Sequence, residues 1–205
     1  IYVGVEGTET ASGTKDDPRS ISSALMDETL MPGDTIRVMP GTYNLFDRIT
    51  IFRSGSHKKY INIVNDDPTQ KAVMAFYAMP FLSTNRGVQI YSDYIHWDGI
   101  DICGAGDNGM YIGGSYNIIE NSEFYDNRDT GLQLGRSYSP TGNQYTEYAD
   151  INYWPSYNLI KNCTSYNNYD NETYGENADG FAAKLTVGYG NVFDGCIAYR
   201  NSDDG

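Results

Sequence analysis

Three aspartates that precede two glycines are the residues of this sequence best suited to chemistry. Asp179 directly precedes Gly180, Asp204 directly precedes Gly205, and Asp203 lies one residue before Asp204. If the two glycines are equivalent positions of a repeat, the carboxylates stack about 5 Å apart and repel one another unless one is protonated or a cation lies among them. Calcium suits such a set because it accepts oxygen ligands in irregular geometry. The pattern predicts a cation site or a catalytic site, and solvated turn aspartates are the alternative.

Lys184, four residues after Gly180, is a second candidate. A lysine near such a site can bind the carboxylate of an acidic ligand, and an exposed, outward-facing lysine is the alternative. The histidines are His57 and His96. His96 lies in a strand-like run, so we expect it to be packed or at the surface rather than catalytic. The sequence contains neither a Gly-x-Ser-x-Gly elbow nor a phosphate-binding loop.

A column of glycines sets the register of the aspartates. Segments 87–90, 109–112 and 131–134 each begin with glycine and recur every 22 residues, and Gly180 and Gly205 continue the column at longer intervals. Because uncharged residues precede Gly109 and Gly131, the fold does not require an acid at this position. The residues before the later four glycines are, in order, Asn108, Thr130, Asp179 and Asp204.

A second repeat shows how the chain folds. Segments 117–127, 158–168 and 191–201 align without gaps, and each begins and ends with asparagine. A period near 22, built of short apolar runs and Gly, Asn and Asp turns, is typical of the coils of a β-solenoid. We therefore predict an all-β, right-handed parallel β-helix. The closing asparagines Asn127, Asn168 and Asn201 are predicted to form an internal ladder. The alternative is that they are exposed turn residues.

The N-terminal part has a different pattern. Residues 20–26 are predicted to form a short helix after Asp17 and Pro18, and this helix would cap the apolar interior of the solenoid. We expect one domain over residues 1–205, with the cap over about residues 1–45, and a sequence truncated at its C-terminus. Residues 138–154 and 169–177 are polar and rich in turn residues, so they are predicted to be loops inserted into the coils.

Composition restricts the classes of partner. The formal net charge is −13, which argues against nucleic acid as a partner. No stretch approaches the 18 or so apolar residues of a membrane-spanning helix. The cysteines have no metal-binding spacing and are predicted to be small buried residues. They are Cys103, Cys163 and Cys196.

Several motifs together resemble those of polysaccharide lyase family nine. They are the runs NADGFAAK over residues 177–184, GNVFDGC over residues 190–196 and NSDDG over residues 201–205. Residues 32–36 and 40–43 are also similar to that family, although many β-helix proteins share such segments. The likeness extends loosely over most of the chain and is densest from residue 158 onward.

The resemblance implies a secreted, cell-surface or periplasmic enzyme, expected to be a monomer, that cleaves acidic pectic polymers by calcium-dependent β-elimination. In that family four aspartates bind the catalytic calcium ion. Asp179 matches the first, and Asp203 and Asp204 match the next two. The fourth is expected three residues after Asp204, and the catalytic base is a lysine of a later coil, so both are expected beyond Gly205. Polygalacturonate and rhamnogalacturonan both remain open as substrates.

Two other readings remain open. Residues 177–179 together with Asp203 and Asp204 resemble motifs of polygalacturonases, in which the carboxylates act as general acid and base. Gly205 stands where that family usually has cysteine, and its other motifs do not occur. The second reading is a carbohydrate-binding or adhesive β-helix without catalysis, in which the aspartates are structural.

Overall fold

A computed structural model, which describes residues 1–135 and 151–205, has the chain coiled into a parallel β-helix with three sheets. The seven-stranded sheet contains β1 (Tyr2–Thr8), β2 (Thr35–Val38), β5 (Ile61–Asn65), β8 (Ile95–Asp98), β11 (Ile118–Glu120), β14 (Leu159–Lys161) and β17 (Val192–Asp194). The six-stranded sheet contains β3 (Gly41–Asn44), β6 (Ala72–Ala75), β9 (Ile100–Cys103), β12 (Glu123–Tyr125), β15 (Thr164–Tyr166) and β18 (Ile197–Tyr199). The five-stranded sheet contains β4 (Ile49–Ile51), β7 (Val88–Ile90), β10 (Met110–Ile112), β13 (Leu132–Leu134) and β16 (Phe181–Ala183).

The predicted parallel β-helix is confirmed, and the apolar interior explains its register. Side chains alternate between the two faces of a strand, so one position of each coil points inward at every turn. One such column on the seven-stranded sheet is fully buried over five coils. Its members pair in sequence and each is 0% exposed: Ile36, Ile63, Trp97, Ile119 and Ile160.

The predicted asparagine ladder lies inside the turns. Asn127 and Asn168 are buried, and the Asn168 side-chain oxygen accepts bonds of 3.0 Å from both the backbone N–H and the side-chain amide of Asn127. The Asn168 amide donates to Asn201 at 2.8 Å. Burying an amide costs free energy unless it is hydrogen-bonded, and in the ladder each buried asparagine amide bonds to the asparagine of the next coil. A parallel ladder at the first asparagine of each repeat joins Asn117, Asn158 and Asn191.

The predicted N-terminal helix is the short α1 (Ile21–Leu25), which begins after Ser20. The Ser20 hydroxyl accepts a bond from the Ser23 N–H at 3.4 Å and caps the helix. Ile21 and Leu25 belong to the same buried cluster as the inward-facing strand residues, so α1 covers that end of the interior. The remaining helix of the described residues is a single 3₁₀ turn at Ile151–Tyr153, and none is long and apolar enough to cross a membrane.

The cysteines are free thiols, of which Cys103 and Cys163 are buried and Cys196 is partly exposed. Burial raises the pKa of Cys163 to about 12, so this thiol packs as a neutral group. Residues 169–177 form the predicted turn-rich loop, in which residues 171–177 are all turn. Of the other predicted loop, 138–154, residues 138–150 lie outside the described part of the chain.

Candidate metal and substrate site

Backbone hydrogen bonds align the residues that precede the glycines. The N–H of each glycine donates to the carbonyl of the residue that stands before the glycine of the next coil. These bonds are Gly87 to Asn108, Gly109 to Thr130 and Gly131 to Asp179, each 3.0 Å, and Gly180 to Asp204, 2.9 Å. Asp179 and Asp204 therefore lie on adjacent coils, at the edge of the five-stranded sheet where its strands begin.

Glycine is required at this column because the asparagine ladder passes directly behind it. A Cβ atom at Gly131 would lie 1.9 Å from the Ser165 hydroxyl and 2.8 Å from the Asn168 amide. At Gly180 it would lie 2.6 Å from the Asn201 amide. Side chains cannot fit at these distances, so the ladder and the glycines fix the strand starts, and with them the aspartates.

The predicted metal ligands come together. Asp179, Asp203 and Asp204 each present a carboxylate oxygen, and these oxygens lie within 4.8 Å of one another. Asp179 is only 9% exposed, whereas Asp203 and Asp204 are at the surface. Two bonds of about 2.3–2.6 Å from one calcium ion span a similar distance, so the spacing of the three carboxylates suits one such ion. The all-oxygen donor set fits a hard cation.

The loop before Asp179 completes the surroundings of the cluster. The Asn177 N–H donates to Asp203 at 3.2 Å, and the Asn177 carbonyl accepts a bond of 3.0 Å from the Thr130 hydroxyl. The same hydroxyl lies 3.2 Å from Asp179 Oδ2. The backbone at Asn177 has a φ of 78°, a left-handed conformation that asparagine tolerates better than most residues. This conformation turns the chain from the loop into the Asp179 coil.

Lys184 follows β16 and points back to the aspartates. Its ammonium lies 2.7 Å from Asp179 Oδ2 and 3.4 Å from both the Asn177 carbonyl and the Thr130 hydroxyl. The side chain is 36% exposed, so it remains accessible to a ligand. The structure thus brings the predicted substrate-binding lysine to the same place as the predicted metal ligands.

A groove leads from Lys184 along the preceding coils. Arg86 lies in it and is 5% exposed; its guanidinium bonds to Asp107 and Asn108 at 3.2 Å and lies 4.1 Å from the centre of the Tyr111 ring. The Asn108 amide also donates to Gln133 at 3.2 Å. The groove is lined by Ser83, Arg86, Asp107, Asn108, Asp129, Gln133, Asn177, Lys184 and Leu185.

Arg86 and Gln133 are not among the site residues predicted from the sequence. A signal for Gln133 was present, since the third residue of the repeated segments is glutamine at both 89 and 133. Those positions pair with Tyr111 on the outward face of the five-stranded sheet. Arg86 carries no such signal, because the equivalent residues of the following coils, such as Asn108 and Thr130, are not basic.

Comparison with known proteins identifies the family. The model for the Pel9A-like, right-handed β-helix region matches residues 1–205. This chain belongs to that family. Similar curated relatives are Pectate lyase L of Paenibacillus polymyxa (strain SC2), 49% identical over 178 residues, and Pectate lyase L of Thermoclostridium stercorarium, 38% identical over 211 residues. The first match covers 86% of this chain and the second covers all of it.

Solved structures of other proteins have the same β-helix fold. The crystal structure of pectate lyase Pel9A matches 100% of this chain with a TM-score of 0.83 and 32% identity. A rhamnogalacturonan lyase matches with a TM-score of 0.78 at 24% identity, a likeness of fold. The chain spans 37% and 15% of the two curated relatives and 48% of the Pel9A structure, so it corresponds to part of each.

Proposed function

We propose that this chain forms part of a calcium-dependent lyase that cleaves uronate-containing pectic polymers by β-elimination. The observation that supports this most directly is the convergence of Asp179, Asp203 and Asp204 within 4.8 Å, beside a groove with cationic side chains, in a Pel9A-like β-helix. The polygalacturonase-type hydrolase and the non-catalytic β-helix use the same fold. Membership of a family whose relatives are named pectate lyases favours the lyase over both.

The chemistry follows from the acidity of the substrate. The proton on C5 of a uronate is weakly acidic because the neighbouring carboxylate carries the developing charge poorly. Asp179, Asp203 and Asp204 would hold a calcium ion, which would supply positive charge next to the uronate carboxylate. Calcium also allows a chain of net charge −13 to bind a polyanion. The base is proposed to be a lysine of a later coil, beyond Gly205.

Lys184 is proposed to bind a substrate carboxylate. Its ammonium already lies against Asp179, so a uronate that reaches the aspartate-bound cation comes within its range. Arg86 is less available, because its guanidinium is engaged by Asp107, Asn108 and the Tyr111 ring. Its proposed part is to hold Asn108 in the groove.

Polygalacturonate is the proposed substrate. The relatives that are 49% and 38% identical are named pectate lyases, whereas the rhamnogalacturonan lyase shares the fold at 24% identity. We further propose that the parent protein acts outside the cytoplasm, where pectic polymers occur, and that it is a monomer.

The test uses the full-length protein that contains this sequence. With polygalacturonate and calcium it is expected to release unsaturated products that absorb in the near ultraviolet, and a chelator is expected to abolish the signal. Asp179→Asn removes the least exposed ligand and is expected to lower activity by about 100-fold or more. Asp194→Asn, an exposed aspartate outside the cluster, is the control and is expected to retain activity. Saturated products formed without calcium would instead identify a hydrolase.

A further inference from the structure

A second group of metal-ligating side chains lies on the outward face of the seven-stranded sheet. Side-chain atoms of His96, Asp98 and Glu120 lie within 4.8 Å of one another, and all three residues are partly buried. Strand pairing assembles them: His96 and Asp98 belong to β8, and Glu120 of the next coil pairs directly with Asp98. Two carboxylates that face each other across neighbouring strands repel, so this pair requires compensating positive charge.

The hydrogen bonds of His96 show where its lone pair points. Its Nδ1 lies 3.3 Å from the amide oxygen of Asn62. The orientation of that amide is fixed because its nitrogen donates to the carbonyls of Tyr60, at 3.2 Å, and Asp34, at 3.4 Å. An amide oxygen only accepts, so Nδ1 carries the proton of a neutral imidazole and Nε2 presents a lone pair.

This lone pair is aimed at a carboxylate. His96 Nε2 lies 2.8 Å from Glu120 Oε1, so in the neutral tautomer two acceptors face each other. Either a second proton or a metal ion has to lie between them. A histidine whose other ring nitrogen is held by a backbone or side-chain acceptor is the usual arrangement of a metal ligand. Asp98 is held in the same way, since Asn121 donates to its Oδ1 at 2.7 Å.

We propose that His96, Asp98 and Glu120 bind a divalent transition-metal ion of the zinc class. Imidazole nitrogen together with two carboxylates suits zinc and its neighbours, whereas calcium prefers oxygen ligands alone. Ligand bonds of about 2.0–2.2 Å place donor atoms about 3.4 Å apart in a tetrahedral site. His96 Nε2 and Glu120 Oε1 would have to separate from 2.8 Å to that distance, and both side chains are partly exposed, at 26% and 23%.

Such an ion would connect three consecutive coils. Asn62 lies on β5, His96 and Asp98 on β8, and Glu120 on β11. The next residue in the column is Lys161, which pairs with Glu120 on the adjacent strand and offers a competing positive charge. The ion would therefore stabilise this part of the solenoid, on a different sheet from the Asp179 cluster.

The test measures binding of zinc ion to the full-length protein by calorimetry, with excess calcium present to saturate oxygen-only sites. One equivalent is expected to bind and to raise the melting temperature. His96→Gln and Glu120→Gln are each expected to weaken zinc binding about tenfold or more. His57→Gln, an exposed histidine elsewhere, is the matched control and is expected to bind zinc like the unmodified protein.

Folding of each variant is checked by its circular dichroism and its melting temperature without zinc. The two variants report independently, because either ligand can be removed without touching the other. Zinc binding that survives both substitutions would overturn the proposal, as would an unmodified protein that takes up no zinc. If the unmodified protein takes up no zinc, a proton and not a metal ion lies between His96 and Glu120. Lyase activity is measured separately and depends on neither outcome.

Discussion

At the scale of single residues, Lys184 is the side chain whose partner depends on what the site holds. Its ammonium lies 2.7 Å from Asp179 Oδ2, an oxygen that a bound calcium ion would share. The two cations compete for one carboxylate, and a partly exposed ion pair contributes up to about 1 kcal/mol. Lys184→Gln is therefore expected to tighten calcium binding without substrate about two- to fivefold, and to raise KM for polygalacturonate about tenfold.

Lys59→Gln, which removes an exposed lysine distant in the sequence from Lys184, is the control for loss of charge. Calcium affinity is measured by calorimetry and KM by ultraviolet absorbance. A Lys184→Gln variant that kept KM but lost nearly all kcat would show that Lys184 takes part in the chemistry itself, contrary to the role proposed for it.

At the scale of elements, the asparagine ladder joins one coil to the next. Asn168 is fully buried; it accepts two bonds from Asn127 and donates to Asn201 and Ser165. Asn168→Ala leaves these buried partners unsatisfied, at about 1–3 kcal/mol for each group that finds no water. The free energy of unfolding is expected to fall by about 2–4 kcal/mol in urea titrations.

Asn171→Ala provides the comparison, because Asn171 is exposed in the loop that follows the ladder. Its effect on the free energy of unfolding is expected to remain within about 0.5 kcal/mol. Equal effects of the two substitutions would mean that the ladder adds no stability beyond that of an exposed turn asparagine.

At the scale of the whole molecule, the solenoid buries each coil against its neighbours, and the last described coil has a neighbour on one side. Phe193 continues the inward column after Ile160, yet it is 38% exposed where Ile160 is 0% exposed. An apolar side chain in an open sheet end favours contact with another chain. Residues 1–205 expressed alone are expected to self-associate in sedimentation experiments, and Phe193→Ser is expected to reduce this.

The matched substitution is Phe46→Ser, which removes a phenylalanine that is 66% exposed but lies outside the strands, between β3 and β4. It is expected to leave the sedimentation profile unchanged. Equal self-association of the unmodified and Phe193→Ser chains would show that the exposed coil end does not drive association.

The sequence by itself determined the repeating part of this protein. Glycine at 87, 109 and 131, and asparagine at both ends of three aligned segments, specify which residues stack, because every coil uses equivalent positions for strands and turns. The column of Asp179 and Asp204 followed from that register alone. Sequence similarity then linked the column to the lyase family, as the match over residues 1–205 bears out.

Only the tertiary structure decided what lies between the repeats and beside them. Coils of unequal length carry no fixed spacing, so Asn62 and His96, 34 residues apart, meet across strands in a way that no period of 22 reveals. The direction of Lys184 depends on Thr130 and Asn177, which surround its ammonium in space. Strand β1 has no repeat partner in the sequence and is fixed by pairing with β2. Periodicity encodes which residues share a column, whereas side-chain direction and the contacts of unique segments arise only when the coils are packed together.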